Sequence, residues 1–237
     1  MKKITLCLIA LVAITTTQAQ KNKKKNNTEA ALTKHYQAYY KMMLENNDLD
    51  GAIEGLSHLI VLAPSESKKD TLAYMYLQAS KPMQAIKVVG NSTSDLALKT
   101  KAIGFKNLNN PKKAIENYEA LIQKNKSVLD AYELAQLQFS IQRLGEAKAT
   151  INFGLQNSKE EKVRIFVKGN SYLETPIKAA FLNILGLIEY NLDKSNIDKA
   201  IAIFDEALKI DPQFVLALEN KKGLLAQKEG KPVPAKK

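Results

Sequence analysis

The side chains in this 237-residue chain best suited to catalysis or metal binding are two histidines, one cysteine and scattered carboxylates. His35 and His58 lie too far apart for a His-x-x-x-His pair, whose spacing would set two imidazoles on one helix face. Glu54 precedes His58 by one helical turn, but that supplies two ligands at most. Both histidines are therefore read as ordinary helix residues. Cys7 lies in an N-terminal segment expected to be removed, which leaves no thiolate nucleophile, disulfide or Cys-ligated metal. Glu160-Glu161 and Asp205-Glu206 read as solvated carboxylates. No Gly-rich phosphate loop, nucleophile elbow or dinucleotide fingerprint is present. The expectation is no catalytic residue, no cofactor and no metal.

The composition, 45% hydrophobic and 25% charged with 10 Gly and 7 Pro, excludes collagen-like and fully disordered chains. Lys2 and Lys3 precede an apolar run from Ile4 to Ile14, and Thr17-Gln18-Ala19 then offers small residues for a signal peptidase. This predicts a signal peptide over 1–19, cut after Ala19, and a mature chain in the periplasm or outside the cell. No later stretch is long enough to span a membrane. The net charge of +11 is concentrated at the ends: Lys21, Lys23, Lys24 and Lys25 near the start, and Lys228, Lys231, Lys236 and Lys237 near the finish. Residues 20–27 read as a basic linker and 229–237 as a basic tail. A nucleic-acid binder places its basic residues on a folded face, so no nucleic-acid partner is expected. The ends serve either as solvated tails or in weak contact with an anionic surface.

Between the ends a short pattern recurs. It reads Asp50-Gly51-Ala52-Ile53, Met83-Gln84-Ala85-Ile86, Lys112-Lys113-Ala114-Ile115, Gly145-Glu146-Ala147-Lys148 and Asp198-Lys199-Ala200-Ile201. The alanines are spaced by 33, 29, 33 and 53 residues, the last interval being one period plus an insertion. Apolar residues follow four, seven and eight positions on, as at Leu56, Leu59 and Ile60, or Phe204, Ala207 and Leu208. That is the stripe of an amphipathic helix. A second helical stretch precedes each alanine, across turn-formers such as Asn46-Asn47-Asp48 and Asn109-Asn110-Pro111. Each period is therefore a helical hairpin whose small residue lets two helices approach closely. Five hairpins are predicted, over 28–64, 66–92, 94–125, 127–157 and 177–212, with a capping helix from Phe214 to Lys228. The Gly51-x-x-x-Gly55 spacing is given no weight.

These residues resemble the tetratricopeptide repeat, a 34-residue helix-turn-helix unit. The last unit matches best, with Leu185-Gly186, Tyr190, Ala200, Phe204, Ala207 and the closing Asp211-Pro212. The third unit departs from the pattern by carrying Lys126 in place of the closing proline. The resemblance implies an all-α, right-handed α-solenoid over 28–228 that binds peptides on a concave face lined by the first helix of each hairpin. Carried over position by position, it implies inward-facing side chains at Gln37, Lys41, Tyr74, Lys99, Lys106, Tyr132, Gln136, Asn183 and Tyr190. The Lys and Asn set of the family's carboxylate-clamp members is not matched, so a chain-terminal carboxylate is not the expected ligand.

Residues 158–176 interrupt the period. Val163, Ile165 and Val167 alternate with Arg164, Phe166 and Lys168 before Gly169-Asn170-Ser171, which fits a β-hairpin. A loop or helix extension with apolar residues packed on its neighbours fits as well. The leading functional expectation is an exported, non-enzymatic scaffold that binds a protein or peptide partner in its groove. The rival is a polyanion or envelope-surface binder acting through its basic tails.

Overall fold

The computed structural model describes residues 27–167 and 171–230. The expected signal peptide, residues 20–26 of the basic linker, the Gly169–Asn170 turn and residues 231–237 of the tail lie outside them. The chain divides into two compact units, 1–104 and 105–237.

Unit 1 holds α1 (27–45), α2 (Leu49–Leu62), α3 (Glu66–Gln78), α4 (Pro82–Val89) and most of α5 (Asp95–Asn107). Unit 2 holds the end of α5, then α6 (Pro111–Asn125), α7 (Val128–Ser140), α8 (Leu144–Asn157), β1 (Lys162–Val167), β2 (Ser171–Pro176), α9 (Ile177–Leu192), α10 (Ile197–Ile210) and α11 (Val215–Lys228). The architecture is an all-α repeat of helical hairpins interrupted by one antiparallel β-hairpin. Among the described residues no helix is long and apolar enough to cross a membrane.

The turn inside each hairpin follows from backbone hydrogen bonding. A helix ends with unsatisfied carbonyls, and a left-handed residue lets the chain bend back to meet them. Asn47, Ser80, Asn109 and Gln142 take this conformation, with φ between 54° and 61°. Each makes the same pair of bonds. The Asn47 amide donates to the Leu44 carbonyl and the next amide, of Asp48, to that of Met43; Gln142 and Arg143 donate likewise to Phe139 and Gln138. Asp48, Asn110 and Asn196 then cap the second helices, accepting from the amides of Gly51, Lys113 and Lys199. Lys126, where the closing proline is missing, is itself left-handed and caps α6 through its amide to Ile122.

Five residues beyond Asn47, Ser80, Asn109 and Gln142 stand Ala52, Ala85, Ala114 and Ala147, and these four and Ala200 have no exposed surface. In unit 1, Ala52, Ile53, Leu56 and Leu59 of α2 form a core with Leu72 and Met75 of α3 and with Tyr36, Tyr40 and Met43 of α1. Gly51 and Gly55 contribute to that contact. A Cβ on Gly51 would lie 2.5 Å from the Met43 sulfur, and one on Gly55 3.0 Å from the Tyr39 ring. The glycine spacing, given no weight above, is thus a close approach between helices.

In unit 2 the core runs from Val128 through Phe181 to Phe214 and Ala217, and it includes Val163 and Ile165 of β1. The insertion is a β-hairpin, with Val163 opposite Thr175 and Ile165 opposite Leu173. Phe181 lies against Gly154, where a Cβ would come within 2.2 Å of its ring. One buried charge ties three helices together. Glu189 of α9, 7% exposed, accepts from Lys148 of α8 at 2.5 Å and from Lys199 of α10 at 2.6 Å.

Two predictions follow from this packing. Exchanging glycine in opposite senses should give opposite signs. Gly154→Ala overpacks the Phe181 contact and should cost about 1–3 kcal/mol, whereas Gln142→Gly relieves a left-handed side chain and should gain about 0.5 kcal/mol. Urea unfolding of each variant gives the answer. The second concerns pH. Lys148 foremost, then Lys199, holds the Glu189 carboxyl below the usual carboxylate range against the opposing effect of burial. A group depressed in the folded state stabilises fully above its unfolded pKa, and that stability is lost as pH falls through the folded value. Glu189→Gln should therefore lower stability at neutral pH by about 2 kcal/mol and remove this part of the acid-side decline. An acid limb as steep as that of the unsubstituted protein would refute the pairing.

Candidate functional site

Helical geometry decides which side chains the first helices offer to solvent. In α7 the buried residues include Val128, Ala131, Tyr132, Leu134, Ala135, Leu137 and Gln138. Leu129 and Gln136 are exposed and Glu133 half-buried, one turn apart along a single stripe. Gln136 is therefore on the solvent side of α7. Tyr132, expected beside it, is instead buried: it is 7% exposed, and its ring meets Phe181 edge-on at 5.5 Å. One residue along a helix is about 100° of rotation, which turns Tyr132 into the core beside an open Glu133. Burial, with a smaller effect from Glu133, raises its phenol above the ordinary tyrosine range.

The two expected residues of α9 are also accounted for within the chain. Asn183 is buried, and its side-chain oxygen accepts from Asn220 Nδ2 at 2.9 Å. Tyr190 donates its hydroxyl to Gln227 Oε1 at 2.8 Å. Both partners belong to α11, which lies on α9 and α10 as the first helix of a further hairpin would. Lys221 and Lys228 of α11 also pair with Asp205 and Asp198 of α10. The α9 positions are closed by the capping helix.

The remaining positions are exposed or half-buried. Lys106 is exposed and pairs with Glu133 at 2.6 Å, bringing the end of α5 and the open stripe of α7 together. In unit 1, Tyr74 of α3 and Lys99 of α5 are half-buried. Gln37 and Lys41 of α1 are exposed, and Lys41 faces Glu45 at 3.7 Å. His58 stacks on Tyr36, with centroids 4.2 Å apart, and lies 4.0 Å from Glu54. Among the described residues no group of three or more His, Cys, Asp or Glu side chains is placed to hold a metal ion.

Unit 1 also contains a cavity of about 490 Å³ lined by Glu66, Ser67, Asp70, Ser92, Thr93, Ser94 and Leu96. Asp70 is 3% exposed. Its Oδ2 accepts from the hydroxyls of Ser92 at 2.9 Å and Ser94 at 2.7 Å, while its Oδ1 is buried without a hydrogen-bond partner. Lys101 donates to the Ser92 carbonyl at 2.6 Å, and desolvation lowers its pKa against the opposing pull of Asp70. This carboxylate fixes the turn between α4 and α5, because Ser94 Oγ in turn accepts from the Ala97 amide at 3.0 Å. Nothing in the sequence singled out Asp70. It sits amid lysines and serines on the weakly amphipathic α3, where a carboxylate reads as solvated.

Antiparallel helix pairs packed repeatedly through small residues define the tetratricopeptide-repeat class of folds. Solved structures of that kind resemble this chain. The MamA protein matches with a TM-score of 0.60 and 18% identity over 78% of this chain and 95% of its own. A tetratricopeptide repeat protein from Parabacteroides merdae gives 0.64 and 16% over 85% of this chain and 75% of its own. YrrB, described as a TPR protein with an unusual peptide-binding site, gives 0.62 and 16% over 79% and 90%. No protein-family model matches the sequence, and no curated protein matches it. The likeness is one of fold.

Asp70→Ala should release the 91–95 turn. Hydrogen exchange at the Ala97 amide is expected to speed up by tenfold or more, with amides of α2 unchanged. Equal acceleration throughout unit 1 would show a general loss of stability instead.

Proposed function

We propose that this chain is an exported, non-enzymatic scaffold that holds a protein or peptide partner against the open faces of its first helices. The observation that carries this reading is the division of those helices into two sides. α3, α5 and α7 bury small and apolar residues such as Ala73, Ala97 and Ala135. Their other sides carry the half-buried Tyr74 and Lys99 in unit 1 and the exposed Lys106 and Gln136 in unit 2. Tyrosine supplies apolar contact with one polar atom, lysine attracts carboxylates, and an amide both donates and accepts, a set suited to a peptide backbone with acidic side chains. Gln37 and Lys41 add to it on α1. The peptide-binding site described for YrrB supports this reading as a fold-level analogy. Export to the periplasm or beyond rests on the N-terminal lysine pair, the apolar run and the small residues ending at Ala19.

The test is affinity capture from an envelope extract by the full chain at low and high salt, beside a Tyr74→Ala/Lys99→Ala/Gln136→Ala variant that leaves the core intact. A discrete partner that survives high salt and is lost in the variant supports the helical faces. Capture that vanishes with salt and persists in the variant assigns binding to the basic ends instead.

A further inference from the structure

The β-hairpin carries a surface that its packing does not use. Val163 and Ile165 of β1 and Thr175 of β2 are buried against unit 2, so the alternate residues face outward. These are Lys162, Arg164 and Phe166 on β1, with Tyr172 and Glu174 on β2. Phe166 and Tyr172 are 65% and 55% exposed and lie directly opposite one another, with ring centroids 4.2 Å apart. Beside them Arg164 reaches Glu174 at 3.6 Å, a pair more than half exposed on both sides. Such a pair contributes little to stability. Nor does burial explain an aromatic pair left largely in water at the far end of a hairpin.

The two edges of the hairpin differ. β2 ends at Pro176, which has no N–H, and continues directly into α9, where the Ile177 amide donates to the Glu161 carbonyl at 2.9 Å. Among the described residues β1 pairs only with β2, and it contains no proline. Alternate N–H and C=O groups along its other edge are thus disposed for a further strand. The charge on that edge has one sign. Lys162 and Arg164 both face outward, while the neighbouring Glu161 is turned back to accept from the Lys159 amide at 2.6 Å.

We propose that the free edge of β1 is a docking site for an extended segment of a partner protein, added as a third, antiparallel strand. The register fixes its chemistry. Reading from its N-terminus, the segment places an apolar residue opposite Phe166, an acidic one opposite Arg164 and an acidic one opposite Lys162, with free choice between them. Backbone bonds supply affinity, and the apolar-x-acidic-x-acidic order supplies selection. The site is separate from the helical faces, so either can fail without the other.

The probe is the blocked peptide Thr-Val-Thr-Asp-Thr-Glu-Thr, titrated into isotope-labelled full chain, with Thr-Val-Thr-Lys-Thr-Lys-Thr as control. Backbone amide shifts confined to 162–167 and 172–175, with the acidic peptide bound at least tenfold more tightly, are expected. The Lys162→Glu/Arg164→Glu variant changes only outward-facing side chains and should reverse that preference, which a merely structural role would not do. Equal response to both peptides, no response at millimolar peptide, or shifts on α3, α5 and α7 would each overturn the β1 site.

Discussion

Each hairpin rests on two helices brought so close that the alanine between them has no contact with water. Such an approach tolerates no side chain beyond a methyl group, and it must be aligned to within a fraction of a turn. The chain achieves this by fixing one distance: the alanine follows the left-handed turn residue by five positions at Ala52, Ala85, Ala114 and Ala147. Unit length varies around that fixed distance. The short interval after Ala85 is taken up by α4, which spans only eight residues, with the turn itself unchanged. In the last hairpin the left-handed residue is absent, and Asp193 shapes the turn by accepting from the amide and hydroxyl of Ser195.

Where the period breaks, other interactions take over. The insertion separates α8 from α9 by two strands, yet the helices on either side still converge on Glu189, which Lys148 reaches from before the insertion and Lys199 from after it. A buried carboxylate with two cations repays its desolvation only when its geometry is fixed. The inward residues of β1 join the same core, so the hairpin is anchored on one face and presents the other.

Helices and turns were legible because both of their signals are local. Small residues recurred at a fixed place, and apolar residues recurred with helical spacing. Hairpin boundaries and the capping helix followed from these alone. The insertion was half legible, since alternation over six residues suits a strand but also suits packing on neighbours. The candidate site was less legible. Tyr132 and Asn183 differ from open positions by rotation about a helix axis, and a tyrosine or asparagine is chemically at home on either side. Tyr190 was placed without its partner Gln227, which lies 37 residues away in sequence. Asp70 and Glu189 carry no local sign of burial at all. Their importance arises from hydroxyls and ammonium groups delivered by other elements, which a pattern along one helix does not record.

The capping helix also bears on how the last hairpin folds. α11 follows every other described element, yet Phe214 at its entrance and Ala217 within it complete the unit 2 core, and Leu224 covers Phe204 of α10. Until α11 docks, α9 and α10 keep an apolar flank uncovered, whatever the state of the earlier hairpins. A chain that lost α11 would therefore expose its last hairpin and leave the core around Tyr36 and Ala52 untouched.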